Sequence, residues 1–297
     1  MSNYSFVDPS TIRKDQIVKD RLTFHEDIPM FSILEFNIFG TCTRRCTFCP
    51  ISLDTYKKTN QGMDVKMFEK TVKELAAIGY AGKILFSGFS EPLLHKQIKD
   101  LFRLAKTHLP EVKMEIVSNG DLFERTNLKE LFDAGLDTMS VSLYDGPQQL
   151  EELKKITDSY GLTDSQVIFR RRYFDGDNWG MTISNRSGLI DSNEYRDKNE
   201  EKVVELPLKS PCFYPYYMIM VDYNGDVILC PHDWNRLSKM GNLNDSNIWD
   251  LWKGKYMQFV RSNLSKSNRC FKPCNTCDVK GNVIGKENFE AWQNLKP

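Results

Sequence analysis

Cys42, Cys46 and Cys49 fall within eight residues, in the segment Gly40-Thr-Cys-Thr-Arg-Arg-Cys-Thr-Phe-Cys-Pro50, directly after the apolar run Ile33 to Ile38. The spacing C-x3-C-x2-C supplies three thiolates and no fourth. A structural zinc site closes on four ligands. A four-iron cluster held by three cysteines instead leaves one iron open to a small molecule. Closely spaced cysteines are the thiolate signature of iron–sulfur clusters, and that is the chemistry to which this segment points. A zinc knuckle borrowing a distant ligand, and three cysteines of an ordinary core, are the alternatives on spacing alone.

With Phe48 just before its last cysteine, the triad resembles that of the radical S-adenosylmethionine (SAM) superfamily. The resemblance implies a [4Fe–4S] cluster on Cys42, Cys46 and Cys49, with its open iron chelated by the amino and carboxylate groups of SAM. An electron from the cluster would cleave the sulfonium to methionine and a 5′-deoxyadenosyl radical, which takes hydrogen from the substrate. Gly88-Phe-Ser90-Glu91-Pro92 resembles the family's Gly-Gly-Glu-Pro element, which holds the SAM amino group, with Ser90 replacing the second glycine. Read alone, it is a turn before a helix, with Glu91 favoured near the helix N-terminus. Ser118-Asn119-Gly120 resembles the element beside the SAM ribose or methionine, and is equally an ordinary turn after a strand. Ser142 and Asp145 are of the same kind. The resemblance thus implies SAM contacts from Phe48, Gly88, Ser90, Glu91, Ser118, Asn119 and Ser142.

Five cysteines follow the triad. Cys212 and Cys230 bracket Gly225 as C-x12-G-x4-C, which matches the opening of the SPASM and twitch extensions of radical SAM enzymes. Five cysteines suffice for one complete auxiliary [4Fe–4S] cluster, the twitch arrangement; four thiolates in two pairs also describe a zinc site. Cys274 and Cys277 enclose only Asn-Thr, and Pro273 stiffens the chain before them. The expected auxiliary ligands are therefore Cys212, Cys230, Cys274 and Cys277. Cys270 is left over, a bystander thiol or a candidate hydrogen donor.

Arg170, Arg171 and Arg172 end a strand-like run, and alternation sends Arg171 to the face opposite its neighbours. Asn185-Arg186 resembles a short Asn-Arg element just before the twitch module in relatives. Arg170 and Arg186 are the candidate substrate contacts, against the plainer reading of solvated arginines. Of the four histidines only His232, two past Cys230, is near a cluster motif, and a role other than ligation is expected for it.

Forty Lys and Arg offset forty Asp and Glu, so there is no electrostatic footprint for nucleic acid or an anionic membrane. No apolar run approaches the ~18–20 residues of a membrane span, and the N-terminus lacks a signal-peptide pattern. Clustered cysteines without an export signal are expected in a reducing cytoplasm.

Short apolar runs alternate with helical patterns from Ile33 onward. Strands are expected at Ile33 to Ile38, Lys83 to Phe86, Lys113 to Val117, Thr138 to Leu143 and Val167 to Phe169. Asp64 reads as the N-cap of an intervening helix and Gly79 as its stop. Strand alternating with helix predicts parallel βα units. A complete barrel needs about 250 residues and this region has roughly 155, so the expected fold is α/β with a partial, TIM-like (β/α)6 barrel. The expected division is an N-terminal extension (1–30), a radical SAM core (31–186), a connector (187–206) and an auxiliary-cluster module (207–297). That module holds a β-hairpin turned by Asn224-Gly225 and a helix over Ile248 to Phe259.

Within the family, a short N-terminus and one auxiliary cluster look most like the dehydrogenases that oxidise a secondary alcohol on a sugar or aminocyclitol. The auxiliary cluster would accept the surplus electron. The expected partners are a small-molecule substrate and an electron donor such as flavodoxin or ferredoxin. The alternatives are a peptide maturase, a carbohydrate epimerase and a non-catalytic metal scaffold.

Overall fold

Three short elements precede the first barrel strand: helix α1 (Pro9–Asp20) and the two strands β1 (Phe24–His25) and β2 (Ile28–Pro29), paired antiparallel. The computed structural model describes residues 9–173, 183–192 and 204–295. Of the connector expected from the sequence, residues 193–203 lie outside them.

Five strands then run parallel in chain order: β3 (Ile33–Asn37), β4 (Lys83–Phe86), β5 (Lys113–Ser118), β6 (Thr138–Leu143) and β7 (Val167–Arg171). The intervening helices are α2 (Val65–Ala77), α3 (Ile98–His108), α4 (Leu128–Asp133) and α5 (Pro147–Ser159). Asp64 caps α2 by accepting from Met67 N at 3.0 Å, and Gly79 takes the positive φ of 67° that follows its last turn. The apolar face of α2, with Phe68, Val72 and Leu75 all buried, packs against the outer side of the sheet.

Side chains alternate across the strands. Leu34, Phe36, Ile84, Phe86, Met114 and Ile116 point outward into the helix layer and share one core with it. Glu35, Ser87, Glu115 and Arg170 point the other way, into the barrel. A polar barrel interior must be internally paired. Glu115 accepts from Ser140 Oγ at 2.7 Å, pairs with Lys83, and takes a 2.6 Å ion pair from Arg13 of α1, which thereby braces the barrel floor. Burial opposes ionisation of Glu115, but Lys83 and Arg13 outweigh it and hold the carboxyl down at about 2.

The sixth parallel strand comes from the C-terminal segment. After α6 (Tyr214–Tyr217), β8 (Met218–Asp222) pairs in parallel with β3, from Ile33↔Met218 to Asn37↔Asp222. The Asn224-Gly225 turn, with Gly225 at φ 86°, sends β9 (Asp226–Ile228) back antiparallel, and β10 (Lys239–Asn242) pairs with β9. The order β10-β9-β8-β3-β4-β5-β6-β7 makes the expected hairpin continuous with the barrel sheet. All five residues of β8 are buried, as suits a strand covered on both faces. The helix expected over Ile248 to Phe259 is two helices, α7 (Ile248–Lys253) and α8 (Lys255–Ser265), parted where Gly254 is extended at ψ 156°. A last helix, α9 (Lys286–Gln293), contacts α1 and α6. No described helix is long and apolar enough to cross a membrane.

Candidate active site

The cysteine loop leaves the C-terminal end of β3, where βα barrels carry their chemistry. It is fastened sideways by Arg44. The Arg44 guanidinium forks between Asp121, past β5, at 2.8 Å from Nε, and Asp145, past β6, at 2.7 Å from Nη1. Thr43 Oγ1 also donates to Asp121, at 3.0 Å. Two carboxylates on one planar guanidinium fix direction as well as distance, so the loop between Cys42 and Cys46 lies over the ends of the next strands.

The Gly88–Glu91 stretch ends β4 and is held from beneath by Asn37. Asn37 Oδ1 accepts from Phe89 N at 3.0 Å and from Ser90 Oγ at 2.7 Å. Gly88 has φ 110°, which favours glycine, and a Cβ there would also press on Met220 Cε at 2.6 Å and Asn37 Cβ at 3.0 Å. Glu91 is 2% exposed and accepts from Ser118 Oγ (3.0 Å), Asn119 N (2.9 Å) and Leu93 N (3.1 Å). Burial pushes its carboxyl up to about 7 against those donors. Asn119 in turn donates to Thr43 Oγ1 at 2.8 Å and lies 3.5 Å from Cys42 Sγ. Ser142 accepts from Arg170 at 2.9 Å, and Phe48 packs on Tyr144 with ring centroids 5.8 Å apart. The residues expected around SAM thus gather at one end of the barrel.

The C-terminal thiols form a second group. Cys230, Cys274 and Cys277 each feel the charge of neighbouring thiols of this set, and Cys212 acts on all three. Cys270 is exposed and stands outside it. Arg269 is buried and donates to the main-chain carbonyls of Ser210 (2.9 Å), Pro211 (2.9 Å) and Val279 (2.7 Å), which bind the Cys212 approach to the segment after Cys277. Asp278 accepts from Asn185 N at 2.9 Å, and Thr276 Oγ1 donates to Ser187 O at 2.8 Å, so the Asn185-Arg186 element docks on the Cys274–Asp278 loop.

Both thiol groups suit a metal–sulfur centre by their electrostatics. Burial raises Cys46 to about 11, with Cys49 adding to the effect, and raises Cys277 to about 11. Thiolates there need a cationic partner. Among the described residues no three His, Cys, Asp or Glu converge as ligands of a single metal ion.

The barrel interior holds a cavity of about 410 Å³, lined by Glu35, Ser87 and Glu115 and reaching residues next to Cys230. Gly88 of the β4 loop borders it, as do Tyr214, Pro231 and His232 from the C-terminal segment. Arg170, Arg172 and Arg186 line it, while Arg171 turns away over the Tyr173 ring at 4.6 Å, as alternation requires. Arg186, at φ 49°, lies 5.9 Å from the Trp234 ring centroid. Among the described residues its buried Nε has no hydrogen-bond partner. His232 is hydrogen-bonded to Ser184 Oγ (3.3 Å) and Tyr214 OH (3.2 Å), and burial, aided by Arg186 and Lys14, pushes it down to about 3. It is a neutral wall of the cavity.

Sequence reasoning missed Asn37, Arg44 and Arg269. Asn37 had a signal, a polar residue closing a buried apolar run. Arg44 lies within the cysteine triad and Arg269 directly before Cys270, but their partners are remote in sequence.

A parallel partial barrel with a three-cysteine loop on its first strand, a glycine-glutamate loop on its second and a further cysteine group behind defines a radical SAM enzyme. The chain carries a domain of that superfamily. Residues 36–168 match the profile of the Radical SAM superfamily and residues 212–278 that of an iron–sulfur cluster-binding domain, SPASM. SAM and a [4Fe–4S] cluster are accordingly its cofactors, with auxiliary iron–sulfur binding in the second module. The chain is 26% identical over 256 residues to the S-adenosyl-L-methionine-dependent 2-deoxy-scyllo-inosamine dehydrogenase of Niallia circulans, covering 84% of this chain and 95% of that one. It is 39% identical over 106 residues to GTP 3′,8-cyclase of Chlorobaculum tepidum, 36% of this chain and 31% of that one. The crystal structure of BtrN with AdoMet and 2-DOIA superposes with TM-score 0.72 at 23% identity, over 88% of this chain and 97% of that one.

Proposed function

We propose that this enzyme oxidises a secondary hydroxyl of a small polyhydroxylated substrate, a sugar or aminocyclitol, to a ketone. One observation carries the reading: a single cavity is bordered both by the Gly88 loop and by residues flanking Cys212 and Cys230. A substrate there lies between a SAM-binding end and an auxiliary site. The similarity to a SAM-dependent inosamine dehydrogenase along most of both chains supports the same reaction class.

In this reading Cys42, Cys46 and Cys49 hold the cluster that binds SAM. Cys212, Cys230, Cys274 and Cys277 hold an auxiliary [4Fe–4S] cluster, and Cys270 holds neither. Residues 31–186 and 207–297 are the two functional parts of the chain, working in a reducing cytoplasm with a flavodoxin or ferredoxin as electron donor. Bound SAM, reduced by one electron, supplies hydrogen-atom abstraction.

The protein's own groups bind, orient and enclose. Phe48, the Gly88–Glu91 loop, Ser118, Asn119 and Ser142 would surround SAM. Glu91, in its ionised form, favours the ammonium group. Arg170 and Arg186, which both line the cavity, would meet substrate hydroxyls, and the Glu35–Ser87 pair offers further polar groups there. Such placement holds the reacting carbon in one pose.

The test is anaerobic reconstitution with dithionite and SAM, following 5′-deoxyadenosine and ketone with a panel of sugars and aminocyclitols. Ketone formed one-for-one with 5′-deoxyadenosine is the expected result. Isomerised substrate without ketone would replace the reading by epimerisation.

A further inference from the structure

The loop from Cys270 to Cys277 meets the surface beside an aromatic patch. Tyr256 and Phe259 of α8 stack with centroids 6.0 Å apart and stay 39% and 49% exposed. Phe259 meets Phe271 edge-on at 5.6 Å. Ser238 Oγ joins the patch to the loop, lying 3.0 Å from Tyr256 OH and donating to Lys272 O at 2.8 Å. Leu237 and Cys270, the chain neighbours of Ser238 and Phe271, are exposed as well. Phe271 O accepts from Asn275 N at 2.9 Å, which ties the Phe271 backbone to the Cys274–Cys277 turn. Contiguous large apolar side chains on a surface mark a contact site.

Charge indicates the partner. From Leu251 to Cys277 the chain has six Lys and Arg and no Asp or Glu, in a protein whose net charge is zero. Arg261 and Arg269 are buried on main-chain carbonyls, and Lys253 pairs with Glu26. Lys255, Lys266 and Lys272 are exposed, and among the described residues none of the three is in an ion pair. Lys255 and Phe259 stand one turn apart on α8, and Lys266 is the residue that caps its C-terminal end. Other helices match their lysines with acids one turn away, as in Lys70–Glu74, Lys129–Asp133 and Lys154–Asp158. This helix does not.

We propose that this face docks an acidic one-electron carrier protein, a flavodoxin or ferredoxin, against the auxiliary-site loop. The proposal rests on the dehydrogenase reading. Converting a secondary alcohol to a ketone removes two electrons and two protons. One electron and one proton leave together as the hydrogen atom that ends in 5′-deoxyadenosine. The second proton goes to solvent, and the second electron passes to the oxidised carrier, which is reduced by one. Small, electrostatically steered encounter surfaces suit such transfers.

Anaerobic calorimetry of the reconstituted full-length enzyme, titrated with an oxidised acidic flavodoxin and separately with an acidic [2Fe–2S] ferredoxin, reads the complex directly. Binding of either carrier should weaken as salt rises. It should weaken by about tenfold or more in Phe259→Ser and in the double variant Lys255→Glu/Lys266→Glu, but not in Lys129→Glu on α4. Dithionite-driven SAM cleavage should stay unchanged in every variant, showing that each is folded. The proposal is overturned if neither carrier binds, or if these α8 substitutions leave binding unchanged. It is equally overturned if the patch proves to be a dimer contact, with self-association abolished in Phe259→Ser. Carrier binding on this face without ketone from any hydroxylated substrate would instead sink the dehydrogenase reading.

Discussion

Asn37 Nδ2 donates to Asp222 Oδ1 at 2.6 Å, joining the last residue of β3 to the last residue of β8 across 185 positions of sequence. The same amide accepts from Phe89 N and Ser90 Oγ, so one buried side chain couples the expected SAM loop to the C-terminal segment. Asp222 is fully buried and also pairs with Arg236.

Asn37→Ala should therefore cost about 2–4 kcal/mol, because it strands two donors and leaves the buried Asp222 short of one. Asn37→Asp should cost more, since it sets a second carboxylate against Asp222. Urea unfolding gives the stability, and equilibrium binding of SAM to the reconstituted enzyme should weaken in parallel. An alanine variant within about 0.5 kcal/mol of wild type would show that the coupling is dispensable.

Glu91 gives a pH signature. Burial raises its folded carboxyl from the usual 4.5 to about 7, so the ionised form costs stability in the absence of SAM. Stability of SAM-free protein should fall as pH rises from about 4.5 through about 7 and level off above, and Glu91→Gln should flatten that slope. An ammonium group prefers the ionised carboxylate, so SAM affinity should strengthen as pH rises across the same interval, again only in wild type. SAM affinity in Glu91→Gln equal to wild type across this range would return the Glu91 motif to a purely structural turn.

Arg269 predicts a selective loss. Its removal orphans the carbonyls of Ser210, Pro211 and Val279 around the approach to Cys212. Arg269→Ala should lower iron from about eight to about four atoms per chain, with the SAM-binding cluster spared. Arg269→Lys, which cannot reproduce the planar fork, should fall between. Full iron content in the alanine variant would count against this role.

The odd cysteine separates two chemistries. Cys270→Ala should keep about eight irons, whereas Cys274→Ala should lose about half. Replacing Cys42, Cys46 and Cys49 together should abolish SAM cleavage while the second centre remains. A Cys270→Ala enzyme that keeps its iron and SAM cleavage yet loses turnover would identify Cys270 as a hydrogen donor and favour epimerisation.

Local signals in the sequence were enough for five of the six parallel strands, the Asp64 cap, the Gly79 stop and the cysteine motifs. Each is written in residues a few positions apart, where hydrophobic period, capping and chelate spacing act. The run Met218 to Asp222 was legible as a strand but not as a barrel strand, because its five buried residues suit a hairpin and a central parallel strand alike. Its pairing with β3 covers what would otherwise be an open edge of the sheet, a contact between segments some 185 residues apart. The fork of Arg44 onto Asp121 and Asp145, and the cavity shared by Gly88 and His232, were likewise decided only in three dimensions. Motif spacing marks the candidate ligands because neighbouring thiols of one motif are a few residues apart; which surfaces face each other depends on register and burial, which the whole chain settles together.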